Sequence, residues 1–211
     1  MSEKKTNKKF WDFYAKVYDF EIYNFNKKAY YQMYEEIKGL IHRDMKVLEV
    51  ATGTGLIALN IADSAESVEA IDFSEKMIKT ALKKKNPHHV HFSVMDATKL
   101  SFESAQFDAV IISNALHIMP EPELVLENIR RVLKPKGILI APCFSHGHIS
   151  ESSWNLNVKM LNWIGLETYA KWTPEEYMAF IENNGFLVQR WMVLKAGFPL
   201  VYLEARKGEN E

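Results

Sequence analysis

The sequence is poor in cysteine and arginine, and it has no excess of charge of either sign. Cys143 is the only cysteine among the 211 residues, so the chain cannot form an internal disulfide, which is typical of a reducing compartment. The 26 Lys and Arg residues nearly balance the 27 Asp and Glu residues, and few of the basic residues are arginines, the type preferred for bidentate phosphate and base contacts. The composition therefore argues against a nucleic acid as the main partner.

The sequence also lacks a long apolar run. No stretch approaches the roughly 18 consecutive apolar residues of a membrane-spanning helix, and the N-terminal stretch carries charges where a signal peptide needs an apolar segment. We therefore expect a cytoplasmic protein without a transmembrane segment. Internal repeats, low-complexity tracts and Pro/Gly/Ser linkers are missing as well, so residues 1–211 are predicted to form a single domain.

Aromatic residues are scarce in the middle of the chain and frequent at both ends. Residues 35–153 contain only five of the 26 aromatic side chains, whereas residues 10–34 contain eleven and the other ten lie between Trp154 and Tyr202. Eleven rings exceed what two short helices need for docking. We therefore expect residues 1–42 to form a helical lid that walls a substrate site and excludes water from it, while part of the cluster packs in the core.

The middle of the chain alternates short apolar runs with helical patterns, which is typical of a parallel α/β sheet. Strands are predicted at Met45–Val50, Val68–Ile71, Val90–Met95, Phe107–Ser113 and Ile138–Ala141. Helices are predicted between them at Leu56–Asp63, from Ser74 to about Lys85, and at Glu121–Leu133. Two further helices precede the sheet, at residues 7–18 and 26–41.

The alternation lapses after the fifth predicted strand. Residues 144–171 are predicted to be an insertion on the substrate side, with one helix over about 153–166. A capping box at Thr173–Glu176, with proline at the first helical position, then begins another helix. Two strands follow, at Phe186–Leu194 and Leu200–Ala205. Because only Lys195–Pro199 joins them, these strands should pair antiparallel.

The strongest local signal is the glycine turn Ala51-Thr-Gly-Thr-Gly55, which lies between a predicted buried strand and a predicted helix. Glycines let the backbone approach a ligand closely, and a helix N-terminus presents free N–H groups. Gly53, Gly55 and Ala58 have the spacing of the dinucleotide fingerprint, and Asp72 stands where a ribose-binding acid is expected. The turn therefore suits either a dinucleotide or a nucleoside that carries an amino-acid tail.

Two features disfavour a dinucleotide. Glu49 stands just before the turn, where a carboxylate suits a ligand with a positive ammonium group and poorly suits a pyrophosphate. The antiparallel last pair of strands also departs from a doubly wound dehydrogenase. A nicotinamide-dependent oxidoreductase nevertheless stays open as an alternative, as does a cofactor-binding protein without catalysis.

The glycine turn belongs to the first of six motifs that follow one another along the chain. The motifs are Glu49–Gly55, Ala70–Met77, Met95–Ala97, Phe107–Asp108, Asn114–His117 and Arg131–Gly137. With them, residues 46–142 resemble class I S-adenosylmethionine-dependent methyltransferases, particularly the ubiquinone/menaquinone-biosynthesis-like branch that acts on small molecules. The segment Phe13–Asp19 resembles the N-terminal helix of that branch. One departure is Ala51, which occupies a position where the family usually has glycine.

The resemblance implies a fold, a cofactor and a reaction. The fold is a Rossmann-like α/β fold with a seven-stranded, mostly parallel sheet, an antiparallel last strand, helices on both faces and an N-terminal helical lid. The cofactor is S-adenosylmethionine, which leaves as S-adenosylhomocysteine after in-line transfer of its methyl group to a small, hydrophobic or lipid-like acceptor. We expect a monomer or homodimer that binds no nucleic acid, with peripheral membrane contact if the acceptor is a lipid.

The resemblance also implies roles for individual residues. Glu49, Ala51, Gly53 and Gly55 would cradle the methionine end of the cofactor, with Glu49 towards the ammonium group. Asp72 would accept hydrogen bonds from both ribose hydroxyls. Phe73 and Met77 would cover the adenine and ribose faces, and Asp96 and Ala97 would contact the adenine edge. The backbone at Ser113–Asn114 would face the methionine portion. Tyr14 or Tyr18 would close the site from above.

Histidines supply one candidate catalytic group and one candidate metal site. His117 follows the fourth strand at the ligand-binding edge, and an ordinary histidine pKa near 6.5 suits a general base, although a substrate contact or a plain loop position stays open. Cys143, His146 and His148 invite a metal, but their spacing is not that of a closed zinc site and no fourth ligand is evident. We therefore expect no metal and interpret this segment as a substrate-side loop.

Overall fold

The computed structural model describes residues 7–25, 27–145, 166–195 and 199–208. Its helices are α1 (Lys8–Tyr14), α2 (Tyr18–Phe25), α3 (Lys27–Leu40), α4 (Leu56–Ile61), α5 (Glu75–Ala81), α6 (Pro122–Val132) and α7 (Pro174–Asn183). Its strands are β1 (Lys46–Val50), β2 (Ser67–Asp72), β3 (Val90–Val94), β4 (Phe107–Ile112), β5 (Leu133–Ile140), β6 (Cys143–Phe144), β7 (Phe186–Leu194) and β8 (Leu200–Lys207). None of the helices in these ranges is long and apolar enough to cross a membrane.

The strands form one mixed sheet in the order β3-β2-β1-β4-β5-β8-β6, with β7 also paired to β8. Strands β1 to β5 are mutually parallel, and β8 runs antiparallel to β5, β6 and β7. The expected Rossmann-like sheet with an antiparallel last strand is confirmed. Its eighth member is the two-residue strand β6, which is too short to leave a sequence signal.

Helices cover both faces of the sheet, and side chains on successive strand positions point alternately to one face and the other. Leu48 and Val110 belong to the core that α6 and α7 cover, whereas the preceding residues Val47 and Ala109 belong to the core that α3 and α4 cover. The continuous burial of residues 47–50 and 109–112 explains why these stretches are apolar runs in which Glu49 is the only acidic residue.

The N-terminal segment forms three helices, where the sequence predicted two. The predicted helix over residues 7–18 is interrupted at Ala15–Val17, where the N–H of Val17 donates to the carbonyl of Tyr14, only three residues back. A new helix, α2, then begins at Tyr18, and α3 follows in place of the helix predicted over 26–41. Periodicity alone missed this break because apolar residues continue through it.

Local end signals were predicted correctly at two helices. The Ser74 hydroxyl accepts a hydrogen bond from the Met77 N–H at the start of α5, and Thr173 and Glu176 form the predicted capping box of α7. Strand β5 begins five residues before the predicted Ile138, and its register with β4 shifts between the pairs Phe107–Leu133 and Ala109–Ile138. The helix predicted over about 153–166 in the insertion lies, except for its last residue, outside the described residues.

Candidate active site

A cavity of about 840 Å³ opens at the carboxyl ends of the parallel strands. Four polar or glycine positions reach it from four neighbouring strands, since Gly53 follows β1, Asp72 ends β2, Asp96 follows β3 and Asn114 follows β4. Ligands of open α/β sheets bind at this edge, and the volume lies within the range of roughly 300–1,000 Å³ that is typical of small-molecule sites.

Most of the predicted site residues line this cavity. Those that do are Tyr18, Ala51, Gly53, Asp72, Phe73, Met77, Asp96, Ala97 and Asn114. The other four, Tyr14, Glu49, Gly55 and His117, are not among the described residues of its lining. The structure therefore brings together the residues predicted to contact the ribose and the adenine and two residues of the glycine turn. Tyr14, Glu49, Gly55 and His117 contact other parts of the fold.

Asp72 joins the two turns that follow β1 and β2. Its Oδ2 accepts a hydrogen bond of 2.8 Å from the Gly53 N–H, and its Oδ1 accepts one of 2.8 Å from the Ser74 N–H. Burial raises the pKa of Asp72 to about 6, and these two N–H donors oppose the rise. The carboxylate is thus held rigidly at the cavity wall, where it can accept hydrogen bonds from a pair of hydroxyl groups.

Glu49 lies beneath the glycine turn. Its Oε2 accepts hydrogen bonds from the Thr52 hydroxyl at 2.6 Å and from the N–H of Ala58 at 2.9 Å. Ala58 is the third residue of α4, so Glu49 caps the N-terminus of that helix from the preceding strand. Burial raises the pKa of this carboxyl to about 8. Its predicted contact with an ammonium group stays a prediction beside this structural role.

The two glycines of the turn are required for different reasons. Both have positive φ angles, of 57° at Gly53 and 79° at Gly55, in the left-handed region that favours glycine. A Cβ at Gly55 would lie 2.6 Å from ring carbons of Phe92, so this glycine permits close packing of the turn on β3. A Cβ at Gly53 would meet only the Tyr18 ring, at 3.8 Å, so Gly53 leaves space on the cavity side.

The turn after β3 fixes the second carboxylate. Asp96 Oδ1 accepts hydrogen bonds from both the N–H and the hydroxyl of Thr98, each at 2.8 Å. Thr98 and Ala97 line the cavity beside it. The arrangement orients the Asp96 carboxyl group at the rim, where a ligand's amino hydrogens can reach it.

Asn114 supplies an acceptor without a partner. Its Nδ2 donates to the Tyr30 hydroxyl at 3.0 Å, whereas its Oδ1 is buried and has no hydrogen-bond partner among the described residues. The backbone is held in a positive-φ conformation, with φ of 53°, and its N–H donates to the Pro142 carbonyl. An unsatisfied buried oxygen costs free energy, so this position fits a ligand that brings a donor such as an ammonium group.

The N-terminal helices cover the cavity with part of their aromatic cluster. Trp11 and Tyr18 line it, while Tyr14 stacks on Phe10 with 5.1 Å between the ring centroids. Of the two predicted covering tyrosines, the cavity wall thus contains Tyr18. Burial and the neighbouring phenols of the cluster raise the pKa of Tyr18 well above 10, so its hydroxyl stays protonated.

Two carboxylates fasten these helices to the cavity's loops. Asp12 on α1 accepts a hydrogen bond of 2.6 Å from the Ser74 hydroxyl, next to Asp72. Asp19 on α2 accepts from the hydroxyl of Thr54 in the glycine turn and pairs with Lys84 at 2.7 Å. The cover is therefore connected directly to the predicted cofactor-binding turns.

Asn7 is a cavity residue that sequence reasoning missed. Its side chain donates to the carbonyls of Ile118 and Glu167, both at 2.9 Å, and accepts from the Glu167 N–H at 2.8 Å. It thereby joins the start of α1 to the loop after β4 and to the chain before α7. No motif or periodicity marks a lone asparagine, so nothing in the sequence could have identified it.

An apolar wall, interrupted by Glu121, also lines the cavity, and most of it was missed by the sequence analysis. Its members after β4 and at the start of α6 are Ala115, Ile118, Met119, Pro120 and Val125, and Met95 adds to it after β3. The only signal for these residues was their position after predicted strand ends. Together with Trp11 they form a surface that suits an apolar molecule.

His117 and Cys143 contact each other. The His117 Nδ1 lies 3.3 Å from the Cys143 Sγ, and the His117 carbonyl accepts from the N–H groups of Tyr169 and Ala170. Burial raises the pKa of the Cys143 thiol to about 12, so it stays protonated. His146 and His148 lie outside the described residues, and the described part of the chain contains no cluster of groups that could hold a metal ion.

Comparisons with known proteins agree with this geometry. Residues 48–141 match the family model described as a methyltransferase domain. Over 101 residues the chain is 43% identical to the demethylmenaquinone methyltransferase of Renibacterium salmoninarum, which covers 48% of this chain and 42% of that protein. A second demethylmenaquinone methyltransferase, from Leptospira interrogans, is 38% identical over 112 residues, 50% of this chain and 45% of that protein.

Solved structures show the same fold. A SAM-dependent methyltransferase from Methanosarcina mazei superposes with a TM-score of 0.68 over 82% of this chain and 97% of that one, at 21% sequence identity. The chain spans less than half the length of the two curated relatives named above.

The match of residues 48–141 to the methyltransferase-domain model and the identity to these relatives confirm the resemblance to class I S-adenosylmethionine-dependent methyltransferases of the ubiquinone/menaquinone-like branch. This family and fold imply S-adenosylmethionine as the cofactor, as expected from the sequence.

Proposed function

We propose that the chain transfers a methyl group from S-adenosylmethionine to a small apolar acceptor. The observation that carries the proposal is the composition of the cavity. Its lining combines the glycine turn, the carboxylates of Asp72, Asp96 and Glu121 and the amide of Asn114 with a set of apolar side chains. The polar groups suit a nucleoside with a charged amino-acid tail, and the apolar side chains suit an apolar molecule held next to it.

Four positions would hold the cofactor. Asp72 would accept the ribose hydroxyls, and Asp96 would accept the adenine amino hydrogens beside the Ala97 N–H. Gly53 leaves room for the amino-acid end, and the unsatisfied Asn114 Oδ1 would accept from its ammonium group. Phe73 and Met77, which line the cavity near Asp72, would cover the adenine and ribose faces.

Most of the catalysis in this proposal is positioning. When bound, the cofactor would supply an electrophilic methyl group on a positively charged sulfur. An acceptor lone pair in line with the C–S bond would then bond to the methyl carbon, while the sulfur keeps the electrons of the broken bond and leaves as S-adenosylhomocysteine. Trp11 and Tyr18 would exclude water from this line. The ties of Asp12 to Ser74 and of Asp19 to Thr54 would keep that cover aligned with the cofactor turns.

A general base is needed only where the acceptor atom carries a proton that must leave. His117 remains our candidate for that proton, although its ring contacts Cys143 and it is not among the described residues of the cavity lining. In this proposal the imidazole acts on an acceptor that extends past Ile118, or through one water molecule.

The acceptor is proposed to be a ring compound of quinone-like chemistry. The apolar wall of Ile118, Met119, Pro120 and Val125 is suited to a flat, apolar ring, and two relatives are named as demethylmenaquinone methyltransferases. Those names describe those proteins, which extend well beyond the part that this chain matches. The acceptor of this chain is for that reason a proposal in its own right.

Two measurements test the function. Calorimetric titration with S-adenosylhomocysteine should give saturable binding, while NADH should give none. Incubation with methyl-labelled S-adenosylmethionine and a lipid-phase metabolite extract should then transfer label to an apolar product. Binding of NADH in preference to S-adenosylhomocysteine would favour the oxidoreductase alternative, and tight cofactor binding without any label transfer would favour a non-catalytic binding protein.

A further inference from the structure

The helices that cover the cavity also present an apolar face to solvent. Phe13 is 71% exposed and Phe20 is 67% exposed, and Val17 and Tyr23 beside them are exposed as well. Single exposed apolar residues are ordinary, but four within eleven consecutive positions are not. We call Phe13, Val17, Phe20 and Tyr23 the exposed apolar face.

The spacing of these residues places them along one side of the helical path. They follow one another at intervals of four, three and three residues, which are the intervals between neighbours on a helix face. The break between α1 and α2 preserves this course, because the N–H of Glu21 donates to the Val17 carbonyl and so continues α2 back to Val17.

The opposite side of the same helices faces the cavity. Trp11 and Tyr18 line the cavity, whereas Phe13 and Phe20, two residues further along in each case, point to solvent. Only the thickness of α1 and α2 thus separates the exposed apolar face from the proposed acceptor site. The predicted aromatic lid is in effect two surfaces, an inner one and an outer one.

Exposed lysines accompany the exposed apolar face. Between residues 7 and 34 of the described chain the exposed charged side chains are Lys9, Lys16, Lys27 and Lys28, whereas exposed carboxylates occur nearby at Glu35, further along α3, and at Glu75, which pairs with Lys8. The acidic residues of this segment are half-buried, and two of them are engaged inward, since Asp12 accepts from Ser74 and Asp19 pairs with Lys84. The chain as a whole has a formal net charge of only −1, so this concentration of positive charge is local.

We propose that this face docks on an anionic lipid surface. Aromatic and aliphatic side chains surrounded by lysines on short surface helices are suited to the boundary between acyl chains and phosphate head groups. The phenyl groups of Phe13 and Phe20 enter that boundary, and the lysine ammonium groups contact the head-group phosphates. Docking itself follows from these exposed residues. Its use, the passage of an apolar acceptor to the cavity past Trp11 and Tyr18, rests on the proposed function.

The first test measures binding to vesicles. The full chain should co-sediment with vesicles of equal parts phosphatidylglycerol and phosphatidylcholine, and the variant Phe13→Ser/Phe20→Ser should bind at least about tenfold more weakly because two buried phenyl groups are lost. The matched control is Leu187→Ser/Val193→Ser, which removes two exposed apolar side chains from β7 and leaves α1 and α2 unchanged. It should bind like the wild type.

The second test isolates the charge. Replacing Lys9, Lys16, Lys27 and Lys28 by glutamine should remove the preference for anionic over pure phosphatidylcholine vesicles. Added salt should weaken wild-type binding in the same direction, since lysines at a surface are screened by ions. Equal wild-type binding to neutral and anionic vesicles would overturn the proposal.

Other outcomes distinguish lipid docking from dimerisation and from the proposed function. No wild-type binding to either kind of vesicle, or an equal loss in the β7 control, would overturn it. So would a wild-type dimer that Phe13→Ser/Phe20→Ser converts to monomer without affecting vesicle binding, because the face would then be covered by a second copy. The Phe13→Ser/Phe20→Ser variant should keep wild-type affinity for S-adenosylhomocysteine. Failure of that cofactor binding in the wild type would refute the proposed function and leave the vesicle result standing.

Discussion

The main-chain N–H of Gly53 donates a hydrogen bond of 2.8 Å to the carboxylate of Asp72. This bond connects the turn after β1 to the end of β2, two segments that the sequence separates by 19 residues. The carboxylate also accepts from the Ser74 N–H, so a single side chain fixes both turns at the cavity. Asp72 therefore has a structural role in the fold and a binding role in the proposed complex.

Asp72→Ala should lower the affinity for S-adenosylhomocysteine by about a hundredfold or more. The expected loss corresponds to two hydrogen bonds from ribose hydroxyls to a charged acceptor, each contributing about 1.5–3 kcal/mol. Isothermal titration calorimetry measures this directly. Asp63→Ala is the matched control, because Asp63 is an exposed carboxylate that does not line the cavity, and its affinity should equal that of the wild type.

The same substitution should reduce stability, because the Gly53 and Ser74 N–H groups lose their acceptor. We expect a decrease of about 2 kcal/mol in the free energy of unfolding, measured by urea denaturation without ligand. Asp72→Ala with unchanged cofactor affinity would contradict the cofactor assignment, whatever its stability.

Glu49 should make the stability of the ligand-free protein depend on pH. Burial raises its pKa from 4.5 to about 8, so the folded state keeps a proton that the unfolded state loses between these values. The contribution of this group to the free energy of unfolding therefore falls as pH rises from about 4.5 to 8. Glu49→Gln removes the titration and keeps an oxygen that can accept from Thr52 and Ala58.

The thermal midpoint of Glu49→Gln should therefore increase relative to that of the wild type as pH is raised through this range. A saturating concentration of S-adenosylmethionine should shrink the difference, because a nearby ammonium group favours the ionised carboxylate. A difference that does not change with pH would show that Glu49 titrates as it does in the unfolded chain.

Ala51→Gly should stabilise the protein. Ala51 has a φ of 56°, a left-handed conformation that costs an L-residue roughly 1–2 kcal/mol, and glycine recovers this less the extra chain entropy of the unfolded state. We expect a net gain of about 0.5–1 kcal/mol in urea denaturation. Ala105→Gly is the matched control, because Ala105 also has a φ of 56° but lies outside the cavity lining. Both variants should gain stability, and only Ala51→Gly should alter cofactor affinity.

The sequence predicted those parts of the site that depend on local chain order. Gly53, Asp72, Asp96 and Asn114 end or follow successive strands, and parallel strands bring such positions to one edge of the sheet. The alternation along β1 could also have placed Glu49 on the face that α4 covers, where it caps the helix instead of lining the cavity.

Contacts between distant segments could not be predicted in this way. Asn7 joins the loop at Ile118 and the chain at Glu167 across separations of 111 and 160 residues, and no short-range pattern encodes either contact. The division of the N-terminal aromatic cluster into inner and outer surfaces was likewise invisible, because it depends on how α1 and α2 dock rather than on their composition. The contact between His117 and Cys143 belongs to the same class.

His117→Ala should leave cofactor affinity within about twofold of the wild type and lower the turnover of an acceptor that must lose a proton by roughly a hundredfold. An acceptor whose lone pair is already free should be methylated at the wild-type rate. Cys143→Ser is the control for packing, because it alters the contact partner of the imidazole without removing the ring. Equal losses with both acceptors would assign His117 a structural role.

Alanine substitutions at the two turn glycines should both lower stability, but the variant that loses more stability should be the one that loses less cofactor binding. Gly55→Ala forces a Cβ to 2.6 Å from Phe92 in addition to its positive φ, so it should lose about 2–4 kcal/mol of stability. Gly53→Ala has only the backbone strain, of roughly 1–2 kcal/mol, but places its Cβ on the cavity side. It should therefore be the more stable variant and the weaker binder of S-adenosylhomocysteine per folded molecule. The second substitution Phe92→Leu should restore part of the stability lost in Gly55→Ala and none of that lost in Gly53→Ala, since only the former is limited by the Phe92 ring. Denaturation curves and calorimetry on the two single variants and the two double variants measure the ranking in stability and the ranking in affinity. A Gly55→Ala variant as stable as Gly53→Ala would refute the close-packing explanation.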